Sequence, residues 1–256
     1  MGASALFDLE GHVAVVTGGN KGIGLGMARG LARAGANVAV WSRSQDQNQA
    51  AAAELEELGV RALPVPCDIS SEASIQEACA ATIEALGRID SCFANAGFGD
   101  YYNPLKASLE RWRKVLDVNL DGTFLTLREV AKHMVERGGG GKLVTISSIT
   151  ERFGAAKQPG YAASKAALGA LVRSLAIELA RHDIQVNNLQ PGWIETEATE
   201  PMRDNELLSK TVMKRTPARR WGDPSDFEGI AVYLASAGSR FHTGDTICVD
   251  GGYSIF

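Results

Sequence analysis

Along the chain, short apolar runs rich in Val, Ile and Ala alternate with longer stretches whose apolar residues recur at helical spacing. The runs at 12–17 (HVAVVT), 37–42 (NVAVWS), 61–66 (RALPVP), 89–95 (IDSCFAN), 142–148 (KLVTISS), 184–190 (IQVNNLQ) and 245–250 (DTICVD) lack the clean apolar–polar alternation of a strand with one wet face. They read as seven strands covered on both sides. The stretches at 22–34, 46–58, 71–86, 122–137, 161–182 and 223–236 fit as crossover helices. Such alternation specifies α/β architecture: a doubly wound, seven-stranded parallel sheet flanked by helices on both faces. No Pro-rich or Ser-rich linker, repeat or charge block divides the chain, and the one biased tract, Gly138 to Gly141, reads as a surface turn before a strand. Residues 1–256 are expected to form a single domain. The polar segment at about 197–217 reads either as a lid over substrate or as a fixed amphipathic helix.

Chemistry gathers at the strand ends. The first strand runs into Thr17-Gly18-Gly19-Asn20-Lys21-Gly22-Ile23-Gly24 and then a helix. Glycines there let backbone approach a pyrophosphate, and the helix start offers unpaired N–H groups and positive dipole. The spacing is Gly-x-x-x-Gly-x-Gly rather than the commoner Gly-x-Gly-x-x-Gly. The second strand ends in Ser42-Arg43, where a dinucleotide fold that prefers NAD places Asp or Glu for the ribose hydroxyls. A small hydroxyl beside a guanidinium accepts a 2′-phosphate, and Lys21 adds a second cation, so NADP(H) is expected over NAD(H). The alternative is that both cations are ordinary solvated surface charges. Cys67-Asp68-Ile69 after the third strand and Asn95-Ala96-Gly97 after the fourth are placed for the adenine and ribose, although Asp68 fits a turn or helix cap equally well.

Tyr161-Ala-Ala-Ser-Lys165 opens a long helix, putting phenol and ammonium on one face. A neighbouring ammonium favours phenolate and is expected to draw the tyrosine toward the working pH range. Ser148, at the end of a strand, is placed to hydrogen-bond the same substrate oxygen. Taken alone, a Tyr-x-x-x-Lys pair is most often a surface pair.

TGGNKGIG at 17–24, NAG at 95–97, Asn119 in DVNL, ISS at 146–148, YAASK and PGWIET together resemble the short-chain dehydrogenase/reductase family, in order from about Val13 to the terminal DGGYS. The resemblance implies a Rossmann-type fold and a catalytic tetrad at Asn119, Ser148, Tyr161 and Lys165. It also implies that Lys165 binds the nicotinamide ribose and Asn119 helps hold a proton-relaying water. Pro191, Gly192, Ile194 and Thr196 would flank the nicotinamide, with transfer from the pro-S face. One departure is Glu151, where related sequences frequently have glycine; it faces either substrate or solvent, paired in the latter case with Arg152. Phe98, Thr150, Gln158 and Trp193 are the other candidate substrate contacts. By the same resemblance, the apolar faces of the helices at 122–137 and 161–182 and the terminal DGGYSIF would build a homodimer or homotetramer.

Composition narrows the field. Hydrophobic residues make up 45% and charged residues 22%, ordinary for a packed globular protein. A net charge of -4 supplies no basic field for nucleic acid. No apolar run approaches a membrane span and no secretory leader is evident, so a cytoplasmic enzyme is expected. Cys67, Cys79, Cys92 and Cys248 are scattered, which points to reduced thiols and no metal site. The leading expectation is an NADP(H)-dependent oxidoreductase interconverting a ketone and a secondary alcohol, as a carbonyl or 3-oxoacyl-type reductase. The alternatives are an NAD-dependent sugar or polyol dehydrogenase and, from another class, a non-catalytic NADP-binding sensor.

Overall fold

The computed structural model describes residues 3–256. Seven strands form one sheet: β1 (Val13–Thr17), β2 (Asn37–Ser42), β3 (Ala62–Pro66), β4 (Ser91–Ala94), β5 (Gly141–Ile146), β6 (Ile184–Pro191) and β7 (Thr246–Val249). Their order is β3-β2-β1-β4-β5-β6-β7, and every neighbouring pair is parallel. The principal helices are α1 (Gly22–Arg33), α2 (Gln45–Glu56), α3 (Glu72–Leu86), α4 (Leu109–Leu116), α5 (Gly122–Arg137), α6 (Pro159–Leu179), α7 (Glu206–Arg215) and α8 (Glu228–Ala235).

The absence of polar alternation in the strands has the expected cause. In β1, Val15 belongs to one buried cluster with Trp41, Cys92 and Leu143, while Ala14 and Val16 belong to another with Val38, Val40 and Phe93. Successive side chains point to opposite faces, so both faces of the sheet are core. Trp41 is fully buried, and its indole N–H donates to Thr82 Oγ1 at 3.0 Å.

All seven strands and six helices of the sequence reading are present, with ends shifted by a few residues. The stretch at 223–236 begins as a 3-10 turn, Pro224–Phe227, before α8. The sequence reading missed α4 and the π-turn Asp117–Asp121 that joins it to α5. Ser108 caps α4 by accepting from Arg111 N at 3.2 Å.

Strand order reverses between β1 and β4. At such a switch point the carboxyl ends of the two strands diverge and leave a crevice for ligand. Thr17 and Ala94 stand at its floor, and the loops after β5 and β6 extend it sideways.

Candidate active site

The crevice is lined first by backbone. Gly18 and Gly22 have φ of +63° and +54°, in the left-handed region that favours glycine. A Cβ at Gly24 would stand 2.1 Å from the Gly18 carbonyl oxygen, so the turn closes only around a bare α-carbon. Asn95 clamps it from β4, donating through Nδ2 to the carbonyls of Thr17 (3.0 Å) and Gly18 (3.3 Å), while Ala96 N donates to Thr17 Oγ1 (2.9 Å). No side chain caps α1 at Lys21, which leaves its first-turn N–H groups for an anion. Bare backbone beside an uncapped helix start fits a pyrophosphate. Ile23 packs on the core, and Asn20 Nδ2 donates to Gln47 Oε1 at 2.8 Å, joining the turn to α2.

At the end of β2, the Ser42 hydroxyl donates to Asn48 Oδ1 (2.5 Å) and accepts from Ser44 N (3.3 Å). Asn48 is fully buried and donates to the carbonyls of Ser42 and Val65, tying the ends of β2 and β3. The sequence reading missed it, because it stands in a polar run, Gln45 to Gln49. Asp68 Oδ1 accepts from the N–H and hydroxyl of Ser70, the turn role held open above. Those bonds, with a smaller pull from Arg43, hold its carboxyl below the ordinary range. Cys67 and Ile69 are buried and present only backbone here. Lys21 departs from expectation: its Nζ lies 2.8 Å from Glu197 Oε2, so it is engaged by the carboxylate of the 197–217 segment instead of joining Arg43.

The second half of the site comes from β5, the π-turn and α6. Ser148 leads a 3-10 turn, Ile149–Glu151, and its Oγ accepts from Thr150 N at 3.2 Å. Pro159 at the first position of α6 starts the helix two residues before Tyr161. Lys165 is 4% exposed, donates to the Ile146 carbonyl at 2.7 Å, and lies 5.8 Å from the Tyr161 ring centre. Asn119, fully buried in the π-turn, accepts from Phe98 N (3.0 Å) and donates to Phe98 O (2.9 Å) and Ser164 Oγ (3.2 Å). The widened turn aims this amide at the β4 loop, a use to which π-bulges are often put.

The titration of this pair differs from the sequence expectation. Burial pushes the Tyr161 phenol up, and a hydrogen bond with Ser148 only partly restores it. Lys165 does not lower it in this structure, because its ammonium points to the Ile146 carbonyl and is itself pulled down to about 8 by burial. The unfolded chain keeps the Lys165 proton to about 10.5, so between these values it holds a proton the fold has released. Stability at this site therefore rises with pH across that window. The melting temperature of the wild type should gain on that of Lys165→Met as pH rises from about 8 to 10.5; a gap independent of pH contradicts this.

The candidate substrate wall is partly assembled. Gln158 Nε2 lies 2.8 Å from where a Gly99 Cβ would stand, a position also 4.0 Å from the Tyr161 ring. Tyr101, which the sequence reading missed, donates through its hydroxyl to Met202 Sδ at 3.4 Å, bridging to the 197–217 segment. The Thr150 hydroxyl and the Trp193 indole N–H are buried without a partner. Trp193 stacks edge-on against Trp221 and Tyr253. Pro191 and Ile194 are buried, Gly192 abuts Asp250, and Thr196 N donates to Thr199 Oγ1 at 3.0 Å. Glu151 answers to neither expectation: it makes no ion pair with Arg152, and its carboxylate turns inward onto β6.

A family model described as enoyl-(acyl carrier protein) reductase matches residues 18–254. The 2-dehydro-3-deoxy-D-gluconate 5-dehydrogenase of Formosa agariphila is 37% identical over 249 residues, 96% of this chain and 94% of that one. The 5-keto-D-gluconate 5-reductase of Escherichia coli K12 is 36% identical, covering 98% of both chains. The chain belongs to the short-chain dehydrogenase/reductase family. A crystal structure of a gluconate 5-dehydrogenase from Burkholderia cenocepacia in complex with NADP and tartrate superposes with a TM-score of 0.94 at 35% identity, covering 99% of each chain. As a short-chain dehydrogenase/reductase the protein is an oxidoreductase of C=O and CH–OH groups. No helix among the described residues is long and apolar enough to cross a membrane. All four cysteines are free thiols, and among the described residues no three His, Cys, Asp or Glu side chains are grouped to hold a metal.

Proposed function

We propose that this short-chain dehydrogenase/reductase is a carbonyl reductase that uses NADPH to convert the keto group of a sugar acid to a secondary alcohol, and catalyses the reverse oxidation when product and oxidised cofactor are in excess. The observation that carries the reading is the complete constellation of Ser148, Tyr161 and Lys165, with Asn119 bracing the β4 loop behind them. A sensor has no use for such a site. The absence of a carboxylate at Ser42-Arg43 favours NADP(H) over the NAD of a polyol dehydrogenase. Relatives named for keto and hydroxy derivatives of gluconate support the substrate class.

When bound, the nicotinamide supplies the hydride at its C4. The residues of the chain handle everything else. Tyr161 delivers the phenolic proton to the carbonyl oxygen as it becomes alkoxide, and Ser148 donates a hydrogen bond to that oxygen. Lys165, buried beside both, holds positive charge next to the developing anion and binds the ribose. Gly18, Asn20, Gly22, Ile23 and Gly24 bind the pyrophosphate side; Ser42 and Arg43 serve the adenosine phosphate, and Lys21 stays with Glu197. Asp68, flanked by Cys67 and Ile69, and Asn95, Ala96 and Gly97 border adenine and ribose, and Pro191, Gly192, Ile194 and Thr196 border the nicotinamide. Phe98, Thr150, Gln158 and Trp193 face substrate, and residues 197–217 close over it within the single domain. The working form is a cytoplasmic homodimer or homotetramer.

The test is a substrate panel with NADPH: 5-keto sugar acids, neutral cyclic ketones and 3-oxoacyl thioesters. The highest kcat/KM is expected on a keto sugar acid. Preference for the thioester would overturn the substrate class while keeping the reaction.

A further inference from the structure

Glu151 stands three residues beyond Ser148, where the family commonly has glycine, and its carboxylate is turned into the molecule. Oε2 accepts from Gln190 Nε2 at 3.0 Å and from Asn188 Nδ2 at 3.2 Å, both on β6 and both fully buried. Oε1 lies over α6 at Gly169, 2.7 Å from where a Cβ would be. One side chain thus touches three elements: the turn that carries Ser148, the strand that runs into Pro191 and Gly192, and the helix that carries Tyr161 and Lys165.

The orientation of the Gln190 amide depends on the carboxylate. The contact with Glu151 is the only side-chain hydrogen bond of Gln190 among the described residues, and its Oε1 is buried without a partner. A flipped amide would set carbonyl oxygen against carboxylate oxygen, which is repulsive. Asn188 is held the same way round, because its Nδ2 also donates to Ser147 Oγ (2.9 Å) while its Oδ1 accepts from Thr145 (2.8 Å). The network therefore reaches the residue next to Ser148 by two routes, through the 3-10 turn and through Ser147.

We infer that Glu151 is a positioning residue that sets the Ser148 hydroxyl against Tyr161 by tying the serine turn to β6 and α6, with Gly169 kept bare to admit it. The inference rests on the reading of Ser148 and Tyr161 as the proton-handling pair. Glu151→Gln retains an acceptor oxygen for both amides and is the conservative variant. Glu151→Ala removes the tie, and Gly169→Ala displaces the carboxylate while leaving all its partners in place.

Two readouts decide it. The first needs no substrate: ionisation of Tyr161, followed as phenolate absorbance and isolated by subtracting Tyr161→Phe. Since Ser148 draws this phenol down and burial and Tyr101 push it up, loss of the Ser148 contact moves the ionisation upward. In Glu151→Ala and Gly169→Ala the ionisation is expected to move to higher pH, with Glu151→Gln at the wild-type value. The second is turnover with NADPH and the best ketone, where kcat is expected to fall about ten- to a hundredfold in the same two variants, with cofactor Kd and ketone KM nearly unchanged. If Glu151→Ala and Gly169→Ala lower the melting temperature but keep wild-type Tyr161 ionisation, Glu151 is structural only and the inference is overturned. If the wild type reduces no ketone, the functional reading falls instead, and the ionisation still decides the placement of Ser148.

Discussion

Tyr161→Phe is expected to lower kcat by about three orders of magnitude while leaving NADPH affinity unchanged, since positioned acid–base groups contribute roughly 10²–10⁴. The substitution removes one oxygen from the phenol that Ser148 draws down against burial and whose ring centre lies 5.8 Å from the Lys165 ammonium. The ring remains to fill its place at the start of α6. Lys165 keeps its bond to the Ile146 carbonyl, and the glycine turn is untouched. The defect should therefore lie in kcat, not in binding, as measured by steady-state turnover and by quenching of protein fluorescence on NADPH addition. Activity within a few fold of wild type would remove Tyr161 from the proton transfer, whatever the family pattern.

Arg43→Leu should weaken NADPH binding about ten- to a hundredfold and leave NADH nearly unaffected. A charge-assisted bond from a guanidinium to phosphate contributes about 1.5–3 kcal/mol, which corresponds to that range. Arg43 follows the last residue of β2 and lies close enough to Asp68 to lower its carboxyl, so it borders the adenosine end of the crevice. Lys21 cannot replace it without leaving Glu197. Isothermal titration with both cofactors gives the ratio directly. Equal weakening toward NADPH and NADH would mean that Arg43 supports the fold of the pocket and does not read the phosphate.

The fold was legible because both signals that define it are local. Apolar runs without alternation specify strands buried on both faces, and strand-to-helix glycines mark the crevice. Ser148 and Tyr161 could be singled out for a similar reason, since one follows a strand end and the other stands in the first turn of a helix, whereas Asn119 came only from the family resemblance. What escaped depended on contacts between distant segments. Asn48 is one polar side chain in a polar run, Gln45 to Gln49, until β2 and β3 close around it, and Tyr101 matters only where its loop meets Met202. The π-turn at Asn119 leaves no composition signal, because its extra residue shows only in the hydrogen-bond pattern. Glu151 lies where neither reading put it. The two readings weighed for it both looked outward, whereas buried amides of β6 and a bare Gly169 drew it in. Lys165 does not lower Tyr161 here, because its ammonium is turned to the Ile146 carbonyl while burial pushes the phenol up.

The central claim is that the crevice binds NADPH and spends its hydride on a ketone. Parallel titration of the wild-type protein with NADPH and NADH, followed by addition of a 5-keto sugar acid to the tighter complex, tests it in one series through the nicotinamide absorbance. NADPH is expected to bind more tightly, and the reduced absorbance to fall on ketone addition. Tighter binding of NADH, or a stable NADPH complex whose absorbance no ketone of the panel discharges, would contradict the claim.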